Sequence, residues 1–119
     1  MQDFRNLKVW EKAHALTLEV YRNTRDFPDG ERYGLTTQLR RSCASVPANL
    51  AEGCARASDV DFARFVNNAA GSASETDYHL LLARDLEYFS ESAYLPLFEQ
   101  ISEVKRMLNS FERTLRGNP

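Results

Sequence analysis

Two cysteines, five glycines and four prolines in 119 residues are too few to build a disulfide scaffold, a collagen-like repeat or a flexible linker. No stretch is low-complexity, so disorder is expected only at the very end, in Gly117-Asn118-Pro119. No apolar run approaches the roughly 20 residues of a membrane-spanning helix. Met1 to Arg5 carries neither the apolar core of a signal peptide nor a cleavage site, which predicts a cytoplasmic chain. A charge of one sign is also missing. The formal net charge is −2, with ten of the fifteen Lys and Arg in residues 1–64, and this falls short of the strongly basic balance of a dedicated nucleic-acid binder.

Chemistry-bearing residues are scarce too. A di-iron bundle takes carboxylates from four helices and two Glu-x-x-His motifs, a set this chain does not supply. Of its two histidines, His14 and His79, only His79 has an acidic residue four positions away on one helical face, Glu75, and few inward carboxylates beyond Glu52 could join them. Cys43 and Cys54 have no histidine nearby in sequence. On one helix they would stand eleven residues apart, roughly 16 Å and beyond disulfide reach. They read as small buried hydrophobes in a reducing compartment. No glycine-rich loop precedes a helix in a way that would cradle phosphate. No enzyme, metal or cofactor is expected.

What the chain does have is helical periodicity. Hydrophobic residues make up 43% and charged residues 27%, ordinary for one globular domain spanning 1–119. Val9, Ala13, Leu16 and Val20 mark a first helix over about 6–25, stopped by Phe27-Pro28-Asp29-Gly30. Leu35, Leu39, Cys43, Val46 and Leu50 mark a second over about 31–53. Pro47 should kink it and Gly53 should cap it. Ser58 and Asp61 resemble a capping box opening a third helix, 58–89, with Phe62, Phe65, Ala69, Ser72, Thr76, Leu80, Ala83 and Leu86 inward. Its centre, Ala69 to Ser74, is all small residues, which invites close approach by a neighbouring backbone. The fourth runs over about 92–116, accepts Pro96 in its first turn, and repeats Leu97, Ile101, Val104, Leu108, Phe111 and Leu115 in steps of four and three. No segment alternates with period two. The economical solution is an all-α, antiparallel up-down-up-down four-helix bundle.

Two polar constellations stand out. Gln38, Arg41, Ser45, Asn49 and Glu52 share a face of the second helix beside the apolar one. They either grip a partner or form an internal network in which Arg41 pairs with Glu52 or with Glu75. Arg40, Arg41, Arg56 and Arg64 suggest a cluster near the turn between the second and third helices. Either it contacts phosphates, or it is a solvated set offset by Glu52, Asp59 and Asp61. Phe4, Trp10, Tyr33, Tyr78, Tyr88 and Tyr94 are more large aromatics than one small bundle hides, and some are expected at subunit interfaces.

Several strings tie the chain to a family. They are Leu7-x-x-Trp10-x-x-Ala13, Phe27-Pro28-x-x-Glu31-x-Tyr33-Gly34-Leu35, and Gln38-Leu39-Arg40-Arg41 followed by Ser45-Val46-Pro47-Ala48-Asn49-Leu50-Ala51-Glu52-Gly53. Arg56-x-Ser58 and Ala70-Gly71-Ser72-x-x-Glu75 complete the set. In these the chain resembles the bundle proteins named after open reading frames in 23S ribosomal RNA intervening sequences. The resemblance implies a ring-shaped homo-oligomer, a pentamer, with no established enzymatic activity. The chain is also similar to the accessory proteins of diversity-generating retroelements, which bind reverse transcriptase and nucleic acid and are basic where this chain is not. The expected function is therefore a self-assembling interaction protein meeting a protein partner, with weak nucleic-acid binding at Arg40, Arg56 and Arg64. The alternative is an accessory factor for a reverse transcriptase or RNA.

Overall fold

The computed structural model describes residues 2–117; Met1 and the terminal Asn118-Pro119 lie outside them. Four helices account for most of the chain: α1 (Lys8–Asn23), α2 (Leu35–Cys54), α3 (Asp59–Asp85) and α4 (Glu91–Leu115). Short 3-10 turns at Phe4–Asn6 and Asp29–Glu31 precede α1 and α2, and no strand occurs among the described residues. Each helix packs on the next and α4 closes on α1, while α2 and α4 stand diagonally and do not meet. The result is an elongated body of 43 × 24 × 20 Å.

The apolar stripes face one another as their spacing predicts. Val9, Ala13, Leu16 and Val20 of α1 meet Leu35, Leu39, Cys43, Val46 and Leu50 of α2, and Leu97, Ile101, Val104 and Leu108 close the core from α4. On α3 the inward line is Phe62, Val66, Ala69, Ala73, Thr76, Leu80 and Ala83. Phe65 and Ser72 are only half-buried there, and Leu86, beyond the end of the helix, is exposed. Ser58 caps α3, its hydroxyl accepting the Asp61 N–H at 3.2 Å.

Three boundaries differ from expectation, each for a local reason. The second helix starts at Leu35, not at Glu31, because Asp29–Glu31 is a 3-10 turn. Glu31 serves that start instead: one carboxylate oxygen accepts the Leu35 N–H at 3.1 Å and the other accepts the Tyr88 hydroxyl at 2.8 Å. A Cβ on Gly34 would stand 2.8 Å from that carboxylate, so glycine leaves the room it occupies. The third helix stops at Asp85, short of residue 89. Glu87 turns left-handed at φ 65°, with the Tyr88 N–H donating to the Ala83 carbonyl and the Glu87 N–H to that of Arg84. This is a Schellman ending built without the usual glycine. The fourth helix opens at Glu91 with Ser90 as its cap, which puts Pro96 in the second turn and not in the first.

Pro47 sits inside an unbroken α2. It cannot donate to the Cys43 carbonyl four residues back. The Thr17 hydroxyl of α1, which donates to Ala13 at 2.8 Å, also lies 3.5 Å from that carbonyl and gives it a second-best partner.

Gly53 is not the cap of α2. The cap is Ala55, whose N–H donates to the Glu52 carbonyl at 3.2 Å. Gly53 is needed for space: a Cβ there would lie 2.7 Å from Phe62 Cδ1 and 3.0 Å from Phe65 Cβ. Gly71, on the solvent side of α3, has nothing within 4 Å of such an atom. Two substitutions of the same type should therefore act in opposite directions. Gly71→Ala gains helix propensity, up to about 1 kcal/mol. Gly53→Ala makes the same gain but must push Phe62 and Phe65 aside, at about 1–3 kcal/mol of overpacking. Urea midpoints should rise for the first and fall for the second; equal shifts would mean that α3 yields freely at Phe62.

Candidate functional site

The seam between α2 and α3, the most extensively packed helix pair, carries a buried chain of polar side chains. Ser42, on the apolar face of α2 between Leu39 and Val46, is 3.3 Å from His79 Nδ1 and accepts the Thr76 hydroxyl at 3.0 Å. Thr76 also lies 2.8 Å from the Ser72 carbonyl. One turn further along, the Ser45 and Ser72 hydroxyls meet at 2.9 Å, and the Asn49 amide donates to the Ser45 carbonyl at 2.8 Å and to its hydroxyl at 3.0 Å. His79 Nε2 points toward the Glu75 carboxylate at 3.8 Å. The proton of the neutral ring belongs on that side, so Nδ1 accepts from Ser42. Burial lowers the His79 pKa below its ordinary value, and the Glu75 carboxylate opposes that only in part.

The polar stripe of α2 thus divides. Ser45 and Asn49 join the seam, whereas Gln38, Arg41 and Glu52 are exposed. Arg41 pairs with neither Glu52 nor Glu75. Eleven residues along a continuous helix hold Arg41 and Glu52 roughly 16 Å apart. Glu52 instead pairs with Arg56 at 3.5 Å and Glu75 faces His79. Ser72, Thr76 and His79 were not read as members of the network, and neither was Ser42. Its signal was present, since it falls between Leu39 and Val46 in the same three-and-four rhythm as the apolar residues.

The arginines do not form one cluster. Arg56 lies just past the end of α2, sixteen residues from Arg40 and roughly 24 Å away. Arg40 belongs to the α1 side, its Nε donating to Thr24 at 2.8 Å and its guanidinium lying 4.7 Å over the Tyr21 ring. Arg56 and Arg64 flank Phe65 at 4.7 and 5.6 Å, and reach Glu52 and Asp61 at 3.5 and 3.9 Å. Arg41 has no ion pair among the described residues. It rims a shallow groove of about 630 Å³ on the outer face of α2, floored by Ala44 and Ala48 and closed by Tyr21. A groove of about 620 Å³ on the outer face of α4 is lined by Phe98, Glu99, Glu103 and Arg106.

Both cysteines are free and buried. Burial pushes the Cys43 thiol up to about 11 and raises that of Cys54 as well, so neither is a ready nucleophile at neutral pH. No group of three or more His, Cys, Asp or Glu able to hold a metal occurs among the described residues. Glu11 and His14, the one Glu-x-x-His spacing in the chain, are both exposed on α1, with His14 stacked on Trp10 at 4.8 Å. The surplus aromatics separate into three groups. Tyr94 is buried; Phe4, Trp10 and Tyr88 are half-buried; Tyr33 and Tyr78 are exposed at 89% and 58%. No helix among the described residues is long and apolar enough to cross a membrane.

Comparison with known proteins adds three findings. Residues 5–110 match the family described as the 23S rRNA-intervening sequence protein. Among solved structures, a protein of unknown function from the S23 ribosomal protein family of Bacteroides thetaiotaomicron is 25% identical, with a TM-score of 0.79 over 88% of this chain and 98% of that one. No curated protein matches the chain significantly.

Two measurements follow from this geometry. The folded state favours neutral His79, so its contribution to stability is complete above the ordinary histidine pKa of about 6.5 and is lost as pH falls through that value. The urea midpoint should drop between pH 7 and about 5.5, and His79→Gln should flatten the drop. Glu52→Ala should change stability by no more than about 0.5 kcal/mol. A loss of several kcal/mol would restore a buried pairing for Glu52.

Proposed function

The chain belongs to the 23S rRNA-intervening sequence protein family, and from that premise we propose that it is a non-enzymatic, self-assembling interaction protein of the cytoplasm. The apolar surface left outside the core is the observation that carries this reading. Tyr33 is 89% exposed, Val60 67% and Tyr78 58%, and Leu86, Leu95 and Phe98 join them. Exposed Tyr and Phe are side chains that subunit interfaces favour. The buried, protonated cysteines support a role in binding and not in covalent catalysis.

The bundle is read as antiparallel, up-down-up-down. Contacts between neighbouring helices support this, because partner numbers fall as residue numbers rise: Thr17 meets Cys43 while Thr24 meets Arg40, and Ser45 meets Ser72 while Ser42 meets Thr76. A pentameric ring is the assembly that the family resemblance favours.

One observation favours a second reading, that of a nucleic-acid accessory factor acting with RNA or a reverse transcriptase. Phe65 lies between two guanidiniums, an arrangement that offers a base a stacking edge and its phosphate a charge. Glu52 and Asp61 offset both arginines, which keeps this reading second.

Light scattering at micromolar concentration should return an oligomer of five chains, and a monomer would refute self-assembly. In a gel shift at low salt the first reading expects no complex with RNA or DNA. A complex that loses about 1,000-fold in affinity on moving to moderate salt, and that Arg56→Ala with Arg64→Ala abolishes, would establish the second.

A further inference from the structure

We propose that the outer face of α2 around Arg41 docks, head to tail, on the outer face of α4 around Glu99 of a second copy of this chain. This rests on the self-assembly reading and names the surfaces that would carry it. The two faces belong to diagonal helices, so they point away from each other and one bundle can offer both at once. Such a heterologous contact propagates from chain to chain and closes into a ring when the rotation allows.

The α2 face is made for close approach. Arg41, Ala44, Ala48, Ala51 and Ala55 recur in steps of three and four, leaving little side chain between the helix backbone and whatever lies on it. Ala48 and Ala55 are exposed, and Ala44 and Ala51 are partly so. Tyr21 forms one wall, 44% exposed and held in place by Arg40. On the α4 face Leu95 and Phe98 are 47% and 41% exposed, with Phe98 stacked on Tyr94 at 5.9 Å. Apolar side chains on one face can thus lie against a small-residue floor on the other.

Charge selects the pairing. Arg41 and Glu99 are both exposed, and neither has an ion pair among the described residues. Glu103, one turn on from Glu99, already holds Lys12 at 3.3 Å. Arg41 on the α2 face and Glu99 on the α4 face carry opposite signs, so packing α2 on α4 joins them. Arg106 makes the far end of the α4 face basic, as Glu52 makes the far end of the α2 face acidic, which aligns the two helices in parallel.

Arg41→Glu and Glu99→Arg, singly and together, test this. Sedimentation over a dilution series should show each single variant assembling roughly 100-fold more weakly, with unchanged helix content by circular dichroism. The double variant should regain most of the loss. Singles that assemble like the parent would overturn the docking while leaving self-assembly intact. A monomeric parent would overturn both. If Arg41→Glu keeps the oligomer but abolishes an RNA gel shift, the face serves nucleic acid and the proposal fails.

Discussion

The close approach of α2 and α3 is the constraint on which the rest of the bundle depends. Ala69, Ala73 and Thr76 of α3 are each fully buried, and α2 answers with Ser42, Ser45 and, at its end, Gly53. Side chains this small contribute little burial each, since hydrophobic gain scales with the apolar area removed from water. Their value lies in distance. They bring two backbones near enough for short hydroxyls to reach across, from Ser42 to Thr76 and from Ser45 to Ser72. A larger residue at Ser42, Ser45, Ala69 or Ala73 would separate the helices and break these cross-helix bonds, each worth about 0.5–1.5 kcal/mol, leaving Ser42 and Thr76 only the carbonyls of their own helices.

That choice sends the large residues elsewhere. With the middle of the α2–α3 interface filled by Ala, Ser and Thr, the aromatic rings gather at the two ends. At one end Phe62 meets Phe111 edge-on at 5.2 Å beside Gly53. At the other Phe27 packs on Tyr88 and Phe89 at 5.3 and 5.1 Å, under the Glu31 carboxylate. Glu31 bonds both the start of α2 and the loop between α3 and α4, so one side chain ties two connections into a lid. The string from Phe27 to Leu35 is therefore structural: Phe27 fills the end of the core, Glu31 clamps, and Gly34 makes room for the clamp.

Much of this was legible in the sequence, and the parts that were not share a cause. The stripes of α1, α2 and α4 were readable because burial depends on spacing along one helix, and Leu39, Val46, Ile101 and Leu108 lie where periodicity puts them; on α3, Phe65, Ser72 and Leu86 were read inward where Val66 and Ala73 are. Polar partners depend on distance between helices, which spacing does not give. Arg41 and Glu52 share a face but stand three turns apart, while Glu52 reaches Arg56 one turn away. Glu87 ends α3 in a conformation usually given to glycine, so nothing in its residue type announced the stop. Ser42 and His79 were readable in principle as polar residues in apolar rhythm. What hid their union was the register of α2 against α3.

The same reasoning bears on how a weakly charged chain can work through its surface. Exposed ion pairs are worth little each, typically under about 1 kcal/mol, and several of the charges here are spent on such pairs along their own helices, as in Arg22 with Glu19 and Arg116 with Glu112. A face that lacks them is therefore distinctive. Arg41 and Glu99 sit on the two outer grooves, beside exposed apolar side chains, in a bundle whose other arginines are largely engaged. A single contact of that kind is weak. In the proposed ring it would repeat at every junction, and closing the ring would be intramolecular, which raises affinity without any new contact. Repetition would also bring each chain's Phe65, with its two arginines, into a regular array. Modest surfaces thus acquire a strength that the isolated chain does not possess.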